Sequence, residues 1–98
     1  MDIDDWRRRI DEIDRELVRL LNERSRCAQE IGRLKRRLRA EVYQPERERE
    51  ILDDVLRVNA GPLDEASLRR LFQLIMEEAR AIGERAYREA DSAEEKKN

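Results

Sequence analysis

The chain has 98 residues, enough for one domain with a modest core. Charged residues make up 47% of it, yet 22 Lys and Arg nearly cancel 24 Asp and Glu, for a net charge of -2. That balance argues against a general nucleic-acid binder, which carries a basic excess, and the apolar residues recur too regularly for a chain disordered throughout.

The two signs of charge are interspersed, as on solvated helix faces. Three Gly and two Pro leave room for long uninterrupted helices. A single cysteine, Cys27, has no internal disulfide partner, so a reducing cytoplasm is the expected location. No N-terminal run resembles a signal peptide, and no apolar stretch approaches the length of a membrane span.

In chain order, Trp6, Ile10, Ile13, Leu17, Leu20, Cys27, Ile31, Leu34 and Leu38 recur in steps of three and four, which predicts one helix with a single buried stripe. Its expected bounds are residues 5–39, with Asp4 or Asp5 as the cap and a length of roughly 50 Å at about 1.5 Å per residue. Gln44-Pro45 opens a second helix with Pro at its first position and Glu46 and Glu48 in its first turn. Ile51, Leu52, Val55, Leu56 and Val58 supply its apolar side, and Asn59-Ala60-Gly61-Pro62 ends it. Asp64 caps a third helix carrying Leu68, Leu71, Phe72, Ile75, Met76, Ala79, Ile82 and Ala86. The expected domain covers residues 1–90, and the polar residues 91–98 read as a frayed tail.

The fold class is therefore all-α: one very long N-terminal helix and two shorter ones, the second of about 22 Å and the third of roughly 35 Å. A compact three-helix monomer would leave much of the first helix's stripe wet. An intertwined homodimer that packs the two long helices together resolves this.

One step of the stripe, between Leu20 and Cys27, is taken by Arg24. A guanidinium in a buried seam costs several kcal/mol unless an anion meets it. Lys35 lies eleven residues on, and eleven steps of about 100° nearly complete three turns, so both cations look the same way. Glu48 precedes Ile51, Leu52 and Val55 by three, four and seven, which turns it to the apolar side of the second helix beside Arg47. Each has a plainer explanation. Arg24 could set dimer register, Lys35 could snorkel at a boundary, and Glu48 could answer a helix dipole. Together, two inward cations and one inward acid suit a small polyanion carrying a hydroxyl, held inside a helical bundle.

The sequence contains no His and no Cys cluster, and with them goes any expectation of a zinc site or a His-based triad. It also lacks a Gly-rich phosphate loop. Cys27 falls on the apolar stripe and reads as a core residue.

The segments RRRIDEIDRELVRLLNERSRCAQEIGRLK, YQPEREREIL and GPLDEASLRRLFQLIMEEAR resemble the all-helical class of chorismate mutases in both order and spacing, over about residues 5–85. The resemblance implies a cytoplasmic enzyme of the shikimate pathway and aromatic amino-acid biosynthesis, an isomerase converting chorismate to prephenate without cofactor or metal. It implies an intertwined dimer with two sites, each completed by an arginine from the other chain, here Arg7. Arg7 lies about 26 Å along the helix from Arg24, so a straight helix cannot bring both to one small ligand, whereas an antiparallel partner can. By the same resemblance, Arg7 and Arg24 hold the substrate carboxylates, Lys35 meets the ether oxygen, Glu48 accepts from the ring hydroxyl, and Arg47 supports that corner. The reaction is a concerted rearrangement, so it needs a preorganised pocket and no nucleophile.

Three positions depart from the family pattern. Gln44 replaces a frequent acid, where a backbone N–H contact would survive. Ala79 replaces a common Ser. Gly83 stands where the family places a Gln or Glu beside Lys35, and a missing transition-state donor costs about 3 kcal/mol, roughly a hundredfold in rate. Glu84, next in sequence, is the candidate replacement, through a one-residue shift or a bulge. Two alternatives follow: a non-catalytic regulatory or metabolite-binding domain of the same fold, and isochorismate-pyruvate lyase. A complex with another shikimate-pathway enzyme is a further expected partnership; nucleic acid and membranes are not.

Overall fold

A computed structural model of the chain describes residues 1–97, with side chains described through Glu95. It consists of three helices, α1 (Ile3–Leu38), α2 (Pro45–Val58) and α3 (Glu65–Lys97).

Helix α1 starts two residues earlier than the sequence spacing predicts, because Asp2 is its cap. The Asp2 carboxylate accepts from the Asp5 N–H at 2.9 Å, and the Asp5 carboxylate accepts from the Asp2 N–H at 2.9 Å. This reciprocal capping box satisfies two otherwise unpaired donors. The other end closes through Arg39, which adopts a left-handed conformation with φ of 54°. Its N–H donates to the Arg36 carbonyl, and the Ala40 N–H donates to the Lys35 carbonyl at 2.9 Å. Along the exposed faces, Arg9–Glu12, Arg19–Glu23 and Arg33–Glu30 pair one turn apart. Such exposed pairs are weak, so the high charge content decides little about packing.

Pro45 sets the first turn of α2, and Gln44 precedes it without a side-chain cap. Between α2 and α3, the Asn59 side chain donates to the Leu63 carbonyl and accepts from the Gly61 N–H, which ties the turn together. Asp64 then caps α3 by accepting from the Ser67 N–H at 2.7 Å.

Helix α3 packs against both other helices, whereas α1 and α2 do not pack on each other. Contacts run in the same sense along α1 and α3: Gly32 meets Gly83, and Arg36 meets Asp91 further on. The two helices are therefore parallel, and α2 leans on α3 beside them. The wedge between α1 and α2, floored by α3, is the space left for a ligand.

The third helix corrects two expectations. It has 33 residues, about 50 Å at 1.5 Å per residue, where roughly 35 Å was predicted. The segment from Asp91, read as a frayed tail, continues the helix through Lys97; Asn98 lies outside the described residues. Arg36, only 19% exposed, explains the extension, because it binds Asp91 at 2.6 Å and Glu94 at 2.7 Å and sits over the Tyr87 ring.

The interior is small. Leu68, Met76 and Ala86 are its buried apolar side chains. On α1 only Gly32 is buried, while Trp6, Ile10, Leu17 and Leu34 are each about half exposed at 56%, 54%, 49% and 45%. No helix among the described residues is long and apolar enough to cross a membrane.

The tightest point of the fold is the crossing at Gly32. A Cβ placed there would stand 2.3 Å from the Gly83 carbonyl oxygen and 3.1 Å from its Cα. The obstacle is backbone, which cannot rotate away, so the helices would have to separate. Ala gains about 1 kcal/mol of helix propensity over Gly, whereas overpacking of this kind costs about 1–3 kcal/mol or more. Gly32→Ala is therefore expected to destabilise by about 2 kcal/mol in thermal or urea unfolding. Gly83→Ala, whose Cβ meets the Val42 side chain at 3.2 Å and the Ala28 carbonyl at an ordinary 3.6 Å, should be close to neutral. Equal stability of the two variants would show that the crossing is not this close.

Two cap carboxylates make helicity pH-dependent. The Asp2 N–H, then Arg8, hold the Asp5 carboxyl below its ordinary 3.8, and the Ser67 N–H does the same for Asp64. A carboxyl with a depressed folded pKa contributes fully above its unfolded value and stops contributing as pH falls through the folded one. Helical circular dichroism should thus decline below about pH 4, and Asp64→Asn should flatten the part owed to α3.

Candidate active site

A cavity of about 300 Å³ fills the wedge, a volume suited to one small molecule. Helix α1 contributes Arg24, Cys27, Ala28, Ile31, Gly32 and Lys35, and the following loop adds Val42 and Gln44. Arg47, Glu48 and Ile51 come from α2; Met76, Ala79, Arg80 and Gly83 come from α3. Arg24 and Lys35 do face the same interior, three turns apart on one helix face. Of the nine positions singled out in the sequence, Arg24, Lys35, Gln44, Arg47, Glu48, Ala79 and Gly83 converge on this cavity.

The cations are held by local structure. The left-handed turn at Arg39 folds residues 40–44 back beside α1, so the Val42 carbonyl accepts from Lys35 Nζ at 3.0 Å. Arg24 is half-buried, with Leu21, Ser25, Ile75 and Glu78 around its other side. Arg47 is exposed and pairs with Glu50 at 3.3 Å, one turn along α2. Gln44 is exposed at the start of α2.

Glu48 is 24% exposed and its carboxylate is engaged from α3. Arg80 donates through Nη2 at 2.8 and 3.0 Å and through Nε at 3.3 Å. The same guanidinium lies 3.9 Å from the centroid of the Tyr43 ring. Bonding to Glu48 pushes the Arg80 pKa further above its ordinary range, so the group is permanently charged. Four cations and one carboxylate line the cavity, which makes it a site for an anion.

Two predicted site residues stand elsewhere in the single chain. Arg7 is 73% exposed and pairs with Asp4 at 3.7 Å, near the far end of α1. Glu84 does not line the cavity. It lies in a separate groove with Arg39, Tyr43, Tyr87 and Arg88, because one helical step turns a side chain by about 100° and α3 has no bulge to undo the turn. Glu84 therefore does not reach the cavity beside Gly83 in the single chain. Cys27, expected in the core, is exposed and lies on the cavity wall. Arg80 and Tyr43 were missed by the sequence reading. The signal for Arg80 was available, since it follows Met76 by four and precedes Gly83 by three, on the face that meets α2.

The family model for chorismate mutase type II matches residues 6–84. The chain is 41% identical over 81 residues to the bifunctional chorismate mutase/prephenate dehydratase of Pseudomonas aeruginosa, covering 78% of this chain and 22% of that protein. It is 46% identical over 76 residues to the protein of the same name from Neisseria gonorrhoeae, covering 78% and 20% respectively. The chain thus spans about a fifth of the length of these bifunctional relatives. The chorismate mutase of Methanocaldococcus jannaschii is 30% identical over 91 residues, 92% of each chain. Among solved structures, form II of the chorismate mutase from Thermus thermophilus superposes with a TM-score of 0.83 at 40% identity, covering 85% of this chain and 94% of that one. This chain belongs to the chorismate mutase type II family.

Proposed function

We propose that the protein is a chorismate mutase, rearranging chorismate to prephenate in a pocket shared between two identical subunits. The convergence of Arg24, Lys35, Arg47 and Glu48 on one small cavity carries this reading. Chorismate is a dianion with a ring hydroxyl, and its reaction is a concerted bond exchange. A protein accelerates it by holding the folded-back conformer and stabilising negative charge on the departing ether oxygen. Arg24 grips one carboxylate with its planar fork, and Lys35, already steered by the Val42 carbonyl, meets the ether oxygen. Glu48 accepts from the ring hydroxyl.

The half-exposed stripe of Trp6, Ile10, Leu17 and Leu34 supports an intertwined dimer, because a stripe that long is ordinarily covered by a partner. In that arrangement Arg7 of the partner subunit reaches the second substrate carboxylate. The bifunctional relatives motivate a complex with another shikimate-pathway enzyme. The free thiol of Cys27 fits a reducing compartment, and we place the enzyme in the cytoplasm.

Purified protein incubated with chorismate is expected to form prephenate. Salicylate and pyruvate from isochorismate would instead identify a lyase, and binding of chorismate without turnover a regulatory domain. Arg24→Ala should lower kcat/KM by at least about a hundredfold while the chain stays helical. Mixing Arg7→Ala with Arg24→Ala chains should restore one intact site per mixed dimer, and absence of any recovery would argue against a shared site.

A further inference from the structure

Helix α3 forms the floor of the cavity with Met76, Ala79, Arg80 and Gly83, and among these Arg80 alone has a polar side chain. Its placement is tightly defined. At 31% exposure it is held by Glu48 on α2 and by the face of Tyr43 in the preceding loop, so three separate segments determine where the guanidinium lies. An arginine that merely decorated the surface would carry neither restraint.

Part of the group is left uncommitted. Nε and Nη2 serve the Glu48 carboxylate, while Nη1 and its two N–H groups engage no other described residue. Gly83, one turn further along the same face, has no side chain to offer; a Cβ there would meet the Val42 side chain at 3.2 Å and the Ala28 carbonyl at 3.6 Å. Any donor that α3 presents to a bound anion therefore comes from Arg80.

We propose that Arg80 is a substrate-contacting residue of this site, supplying from α3 the cationic hydrogen-bond donor that position 83 lacks, with Glu48 and Tyr43 fixing its guanidinium plane. The inference rests on the reading of the cavity as a chorismate site. Arg80 thereby acts on substrate in its own right as well as orienting Glu48. A donor of this kind, preformed in a partly water-excluded cavity, strengthens binding most where negative charge grows during reaction.

The test is steady-state turnover of chorismate by wild type, Arg80→Met, Glu48→Gln and the double variant, with helicity and thermal midpoint recorded for each. Arg80→Met keeps the stem and removes charge and donors, and is expected to lower kcat/KM about a hundredfold. Arg80→Lys, which retains charge without the fork, should recover about tenfold of that loss and covers the case in which Arg80→Met fails to fold. The decisive comparison is Arg80→Met in the Glu48→Gln background. A further loss of about tenfold or more, chiefly in kcat, shows that Arg80 reaches the substrate directly. No further loss confines Arg80 to orienting Glu48 and overturns the proposal, as does Arg80→Met activity within about threefold of wild type. A wild-type chain inactive on chorismate would instead overturn the underlying functional reading.

Discussion

The backbone-to-backbone crossing of α1 and α3 at Gly32 and Gly83 governs the geometry of the site. With no side chain on either glycine, the helices approach until a hypothetical Cβ would overlap a carbonyl oxygen. Residues a turn away on each helix, Ala28 and Lys35 on α1 and Ala79 and Arg80 on α3, consequently meet around one small space. Helix α2 leans on α3 and stays clear of α1, so that space is left open as a wedge. A looser crossing would move Lys35 away from the α3 floor and spread the cations over a larger, wetter cleft.

The same packing bears on which residue of α3 can serve the cavity. A side chain longer than Ala at position 83 would press on the Val42 side chain, in the residue whose carbonyl accepts from Lys35. Position 83 serves the close packing of α3 on α1, and the polar side chain that α3 offers to the cavity comes from one turn back. Arg80 is suited to the position because its reach spans a helical turn and its planar fork satisfies Glu48 bidentately. The lining therefore pairs an excess of positive charge with a carboxylate that is already anchored, an arrangement directed at anion binding and charge stabilisation.

The same few groups connect folding to the site. The left-handed residue Arg39 ends α1 and returns the loop that delivers Val42 and Gln44 to the cavity and sets the Tyr43 ring under the Arg80 guanidinium. Arg36, the residue after Lys35, clasps Asp91 and Glu94 and so keeps the last turns of α3 helical. Stability and site geometry thus share a neighbourhood, while the first half of α1 lies apart from it with its apolar stripe uncovered by this chain.

Three helices, their order and the facing of Arg24, Lys35 and Glu48 were legible in the sequence alone, because helical period and cap chemistry are local properties of neighbouring residues. Pro45, Asp64 and the Asn59–Pro62 turn punctuate the chain for the same reason. Cap assignment at Asp2 was missed by two residues, since Asp2, Asp4 and Asp5 are chemically equivalent until the backbone selects one. Only the tertiary structure decided that Gly32 meets Gly83, that Arg80 answers Glu48, that Glu84 turns away, and that residues 91–97 stay helical. Each depends on a distance between segments far apart in the chain, such as Arg36 to Asp91 or Glu48 to Arg80, and no local periodicity encodes such a distance.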